Sequence, residues 1–175
     1  LASEHFALIR NDIEWHIGTL ENIGNFFLSS QSVEPEEFRV FTQSALKRHA
    51  NFDAIGWITN EKINNELVWT HIEPNSNKSD LYKNNLDRNR KFKTLLETAL
   101  TSGKAEISAQ NIENILFKDI HKHSHDTQSA PDHFVLVQPV YSLSNPHKKE
   151  NLQGIAFSII DIDYFLRQFW KNYDK

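Results

Sequence analysis

The sequence predicts an α+β fold: a long N-terminal helix packed on a five-stranded antiparallel sheet, with a C-terminal helix leading away. Three observations predict it. An apolar seam at alternating spacings of three and four runs through residues 3–30. Five later segments, at about 53–59, 66–73, 104–108, 133–142 and 153–161, have the length and apolar density of strands. A single helical segment, about 86–102, interrupts those strands, so the repeated strand–helix–strand alternation of a parallel sheet is missing.

The seam of the first helix is Phe6, Ile9, Ile13, His16, Leu20, Ile23 and Phe27, widened by Leu8, Trp15, Ile17 and Phe26. A stripe that wide suits burial against a domain, and it also leaves room for a partner helix. Ser29–Ser32 ends this helix, and a second follows over about 35–49, with Pro35 at its first position, where a missing N–H costs nothing. Phe38, Phe41, Ala45 and Leu46 mark its apolar face. The run Asp53–Thr59 then has little polar alternation, as expected of a central strand covered on both faces. Its Gly56 marks a close approach by a neighbour.

Residues 60–65 supply a turn. In the second strand alternation places Leu67, Trp69 and His71 on one side and Val68, Thr70 and Ile72 on the other. Pro74 stops that strand, and Asn75–Asp80 reads as a polar loop. The third helix buries Leu86, Phe92, Leu95, Leu96, Ala99 and Leu100, and Gly103 stops it. Residues 109–132 are the least ordered by composition. The last two strands are joined by a hairpin loop around Asn145–Asn151, and Asp161–Lys175 reads as a helix with an aromatic face.

Composition excludes several classes. At 175 residues the chain is one domain, or a helix plus one domain. A net charge of −4 with mixed signs is not the basic footprint of a nucleic-acid binder. The absence of cysteine removes disulfides, thiolate metal sites and cysteine nucleophiles. With no methionine, even at position 1, the sequence reads as an excised fragment or a processed chain. No apolar run approaches the roughly 20 residues that span a bilayer, so any membrane helices are expected outside it.

The chemical motifs are few. His121, His123 and His125 lie between Asp119 and Asp126, and neutral imidazoles are good transition-metal ligands. Spacing by two in a polar loop is nevertheless the pattern of a solvated run, so no metal site is assigned. There is no nucleophile elbow and no phosphate-cradling glycine loop, and there are five glycines in all. The acidic pairs Glu36/Glu37 and Asp161/Asp163 sit where helix N-termini favour negative charge. The expectation is no enzyme, no catalytic residue and no cofactor.

Several short motifs resemble the CHASE domain in their order along the chain. They are a phenylalanine-bearing helix followed by Ala54–Ile58, then Glu73-Pro74, Asn85-Leu86-Asp87, Thr101–Lys104, Ile107-Ser108, Gln138–Tyr141 and Gly154–Phe157. The match covers about residues 20–165 and, with a short segment between Trp57 and Glu73, resembles a compact variant. The resemblance implies a PAS-like sheet carried by a long N-terminal helix. It also implies a periplasmic or otherwise extracytoplasmic ligand sensor between two transmembrane helices, in a receptor histidine kinase or a cyclic-di-GMP enzyme. Some members of the family bind adenine derivatives.

Under that reading residues 1–32 form the signalling and dimerisation helix, 33–165 the sensor domain, and 166–175 a helix toward a second membrane span. In a PAS-like sheet the first and fifth strands are neighbours. Ala54 and Gly56 would then form a patch with Gly154, Ala156 and Ser158 that a close-packed helix or a ligand could use, while Ile55, Trp57, Ile155, Phe157 and Ile159 carry the opposite face. A mostly apolar concavity with a few polar groups is the usual small-molecule site. The residues expected to line it are Trp57, Trp69, His71, Gln138, Tyr141 and Phe157. The expected partners are a small-molecule ligand, a second copy through the N-terminal helix, and the membrane through flanking segments. The alternatives are a module that binds a partner protein and holds no small molecule, and a metal-binding domain using the histidine loop.

Overall fold

The computed structural model of the chain describes residues 2–61, 66–74, 77–108, 133–142, 149–161 and 164. Helix α1 spans Ala2–Ser29 and α2 spans Pro35–Arg48. Strand β1 is Phe52–Glu61 and β2 is Glu66–Glu73. Helices α3 (Asn77–Asp87) and α4 (Arg90–Ser102) follow, then β3 (Glu106–Ile107), β4 (His133–Tyr141) and β5 (Leu152–Asp161). The five strands form one antiparallel sheet in the order β2-β1-β5-β4-β3, with helices on both faces. The α+β class and the five-stranded antiparallel sheet are as the sequence predicts, and the strand order is PAS-like.

Two expectations about elements are corrected. The stretch read as a loop followed by one helix is two helices, because Asn89 starts a new one. Its side-chain oxygen accepts from the backbone N–H of Lys91 at 2.8 Å and of Phe92 at 3.4 Å. That is an N-cap, which satisfies donors a continuous helix would have bonded internally. Gly103 closes α4 in the left-handed conformation, with φ 67°. The predicted third strand shrinks to the two residues that pair with Leu136 and Val137. The histidine cluster at 121–125 lies outside the described residues, as does the C-terminal helix beyond Tyr164.

Helix α1 spends most of its seam on the sheet. His16, Leu20 and Ile23 are buried, and Phe27 stacks on Trp57 with centroids 4.2 Å apart and planes at 7°. A Cβ on Gly24 would stand 2.7 Å from a methyl of Val140, so glycine sets how closely the helix crosses β4. At the foot of β1 the Asn51 amide nitrogen lies 3.0 Å from His16 Nε2 and donates to Asp12 Oδ2 at 3.3 Å. This polar contact pins the middle of α1 to the start of β1. In α2 it is Phe38 and Thr42 that are buried, while Phe41 turns outward onto Phe26 of α1.

The pairing register overturns the predicted small-residue patch. Gly56 pairs with Phe157, and Trp57 pairs with Ala156. Directly paired residues project to the same face. Ala54, Ile58, Ile155, Phe157 and Ile159 therefore share the α3/α4 side, while Ile55, Trp57, Ala156 and Ile160 share the α1 side. Each strand's glycine is filled by an aromatic ring of the other strand. A Cβ on Gly56 would come within 2.3 Å of the Phe157 ring, and one on Gly154 within 2.4 Å of Trp57. The close approach expected at Gly56 is real, and its occupant is Phe157, not a helix or a ligand. Sequence leaves strand parity open, and a one-residue change of register exchanges the two faces.

Candidate functional site

The polar feature of the α3/α4 face is built on a β-bulge. Along β1, Phe52 pairs with Ile160 and Ala54 with Ile159, which leaves Asp53 as an extra residue. A bulge re-aims the side chain it carries. Phe52 stays on the α1 side, and Asp53 reaches toward α3 and the start of β4. Its Oδ2 accepts from the Tyr82 hydroxyl of α3 and lies 3.1 Å from His133 Nε2 of β4. A carboxylate can only accept, so His133 presents its Nε2–H to Asp53.

Burial sets the chemistry of this cluster. Tyr82 and His133 are each 1% exposed, whereas the Asp53 side chain keeps 24% of its surface. Desolvation pushes the Tyr82 hydroxyl far above its ordinary pKa, and its bond to Asp53 and the charges of Asp53 and Asp161 push it further. Tyr82 is therefore a fixed donor at any physiological pH. Asp53 is the partly exposed acceptor of a group whose other members are sealed inside.

Farther along β1 the same face is aromatic. Trp69 stands edge-on to Phe157 at 4.8 Å and tilted to Phe92 at 5.7 Å, and its indole N–H donates to Asp87 at the end of α3. Tyr141 donates to the Leu100 carbonyl of α4 at 3.3 Å, and burial raises its pKa. Phe157 and Phe92 are buried, and Trp69 pairs with Ile58, five residues along β1 from Asp53, so these rings are core and Asp53 is the partly exposed polar group of this side.

The six residues expected to line one site divide between the two faces. Trp69, Tyr141 and Phe157 lie on the α3/α4 side. Trp57, His71 and Gln138 lie on the α1 side. Trp57 is under Phe27, His71 is between Phe27 and Phe38, and Gln138 is paired with Ala156. A second bulge separates Trp69 from His71. Trp57 pairs with His71 and Ile58 with Trp69, so Thr70 is extra and strict alternation fails there. His71 is occupied structurally: its Nε2–H donates to the Val33 carbonyl at 2.9 Å, tying the α1–α2 connection to β2. Burial lowers its pKa, against an opposing effect of that bond.

Sequence reasoning misses Asp53, Tyr82 and His133. One signal is available: Asp53 is the single charged residue in the run Phe52–Asn60, at its entry. Tyr82 falls between the expected loop and the expected third helix, and His133 reads as an ordinary strand terminus. Among the described residues no group of three or more histidines and carboxylates is arranged to hold a metal ion. Nor is any described helix long and apolar enough to cross a membrane.

No protein-family model matches the chain, so the CHASE resemblance rests on its short motifs alone, and no curated protein matches it either. Solved structures do match. One is the ligand-binding domain of the amino acid chemoreceptor PctC of Pseudomonas aeruginosa PAO1, in complex with GABA. Identity to it is 13% with a TM-score of 0.52, and the alignment covers 89% of this chain and 55% of that one. The chain thus spans about half the length of that domain, and the likeness is one of fold.

Proposed function

We propose that the chain is an extracytoplasmic ligand-sensing domain of a transmembrane signalling receptor, which binds a small molecule on the α3/α4 side of the sheet. The observation that carries the reading is Asp53, a partly exposed carboxylate held by two buried donors on that side of the sheet. The ligand's donor group, an ammonium being the best match, would pair with Asp53. The PctC domain, a sensor fold, was solved in complex with GABA, which carries such a group. The output is of histidine-kinase, cyclic-di-GMP or chemoreceptor type, and binding would act by shifting the population of α1 arrangements.

A thermal-shift screen with amino acids, GABA, adenine derivatives and carboxylates tests this. An amine-bearing compound should raise the melting temperature by mass action, and Asp53→Asn should abolish the shift. A ligand whose stabilisation survives both Asp53→Asn and Tyr82→Phe would refute the assignment of the site. The second reading, a partner-binding module with no small-molecule ligand, draws on the dense packing of both sheet faces, and the same screen separates the two.

In the receptor a two-fold dimer along α1 is the natural geometry. Leu20 is fully buried on the sheet, so such an interface would use the more N-terminal, outward part of α1, around Ile13. Ile13→Asp should shift sedimentation toward monomer at high concentration. A monomeric unsubstituted domain under those conditions would count against the interface.

A further inference from the structure

We propose that the groove between α1 and α2 is a second binding site, for a small carboxylate with a planar apolar body. The groove has a volume of about 740 Å³, within the roughly 300–1,000 Å³ usual for small-molecule sites. Its described lining comes from α1 and α2, with no residue of the sheet or of the Asp53 cluster, so the inference does not rest on the sensing site proposed above. Trp15 walls one part, with its indole held against the His49 ring at 3.3 Å between centroids. Eleven residues along α1, Phe26 walls another, stacked on Phe41 of α2 at 4.3 Å and 4°. Two fixed aromatic surfaces facing one concavity suit a flat apolar group.

Charge sets the rest of the specificity. Among the described residues Arg48 is the sole charged one lining the groove, and it forms no ion pair with any of them. Its guanidinium matches a carboxylate in bidentate geometry. Asn22 and Asn25 add exposed amides. The hydroxyls of Thr19 and Thr42 do not compete, because each donates to a carbonyl of its own helix, at 3.1 and 2.9 Å. An anion is thus favoured over a cation, and the amides can orient it.

Gly18 is the independent observation. Glycine in a helix interior costs stability relative to alanine. At Gly24, Gly56 and Gly154 a Cβ would collide with a neighbour, which explains the residue. At Gly18 a Cβ would meet nothing within 4 Å among the described residues, and the position opens into the groove. Internal packing gives no reason for glycine there, whereas an occupant between the helices would. Such an occupant braces α1 against α2 and so biases the same helix that docks on the sheet.

The test uses indole-3-acetate and tryptamine, which share a ring and carry opposite charge, titrated into ¹⁵N-labelled protein. Indole-3-acetate should shift the Gly18 amide, the Trp15 indole N–H and the Asn22 and Asn25 side-chain amides saturably, and tryptamine should not. Arg48→Gln, at an exposed position, should weaken the binding about tenfold. Gly18→Leu should abolish it, and Gly18→Ala should keep or raise the melting temperature, as the control for folding. An equal response to tryptamine, an unchanged affinity in Arg48→Gln, or no response at about 10 mM indole-3-acetate would overturn the proposal. Shifts at the same groups on raising protein concentration alone would assign the groove to a second copy of the chain and overturn it as well.

Discussion

Gly56→Ala should destabilise the domain, although replacing a strand glycine ordinarily helps. The added Cβ would stand 2.3 Å from Cε1 and Cζ of Phe157 and 2.6 Å from the His71 carbonyl oxygen. Neither can give way cheaply. Phe157 is fully buried and edge-on to Trp69, which is itself bonded to Asp87, and His71 belongs to the neighbouring strand's backbone. Overpacking of this kind costs about 1–3 kcal/mol. Against it stands a gain of up to about 1 kcal/mol from reduced freedom of the unfolded chain. The net expectation is a loss of about 1–2 kcal/mol, or roughly 2–8 °C in melting temperature for a domain this size. Urea unfolding followed by tryptophan fluorescence should show a lower midpoint at unchanged slope. Phe157→Leu makes room on the other side of the contact. The double variant should therefore be less destabilised than the sum of the singles, with a coupling of about 1 kcal/mol. A Gly56→Ala protein as stable as the parent, or a strictly additive double variant, would refute the glycine–ring interlock.

Three further outcomes are expected. Tyr82→Phe removes a donor to a carboxylate and should cost about 1.5–3 kcal/mol, toward the lower end because water can reach Asp53; thermal unfolding checks it, and a change within about 0.5 kcal/mol would mean that the bond contributes nothing net. Asn89→Ala should cost about 1 kcal/mol through loss of the α4 cap, seen as a lower urea midpoint, and an unchanged midpoint would show the cap to be dispensable. His49 and His71 both have pKa values lowered chiefly by burial. The unfolded chain therefore binds protons first, so stability is complete above the unfolded value near 6.5 and is lost as pH falls below it. Urea midpoints between pH 5 and 8 should fall on acidification, less steeply in His71→Gln; an identical slope in that variant would exclude a contribution from His71.

Periodicity makes the elements legible, and its failures have local causes. Helix α1 is readable because its seam repeats without interruption, and β1 and β5 because their apolar runs are dense. The faces are not readable. Asp53 and Thr70 each insert one residue into a ladder, and no pattern in the flanking side chains announces a bulge. One inserted residue reverses the parity of the rest of the strand, which is how Trp69 and His71, two apart in sequence, come to lie on opposite sides. The same effect hides the polar cluster. With regular alternation Asp53 would not share a side with Ala54, and nothing in the sequence brings it to Tyr82 and His133. The break between α3 and α4 is available in principle, since Asn89 is a preferred capping residue, but a continuous apolar pattern from Leu86 to Leu100 masks it.

The two bulges and the glycine exchange together determine what one strand can connect. β1 carries Asp53 to the α3/α4 side and, four residues on, Trp57 to the α1 side, where it stacks on Phe27. Trp57 cannot move independently of β5, because its ring fills the space left open at Gly154. Phe157, one residue from the Ala156 that pairs with Trp57, fills the space at Gly56 on the other side. Each ring is thus clamped by the strand that bears the other, and interiors packed this closely transmit displacement instead of absorbing it. Under the proposed sensing role, a ligand that draws on Asp53 must strain β1 at its bulge, where the ladder is already interrupted. The Trp57–Phe27 stack is one contact through which that strain meets the long helix, alongside the packing of α1 on β4 and β5.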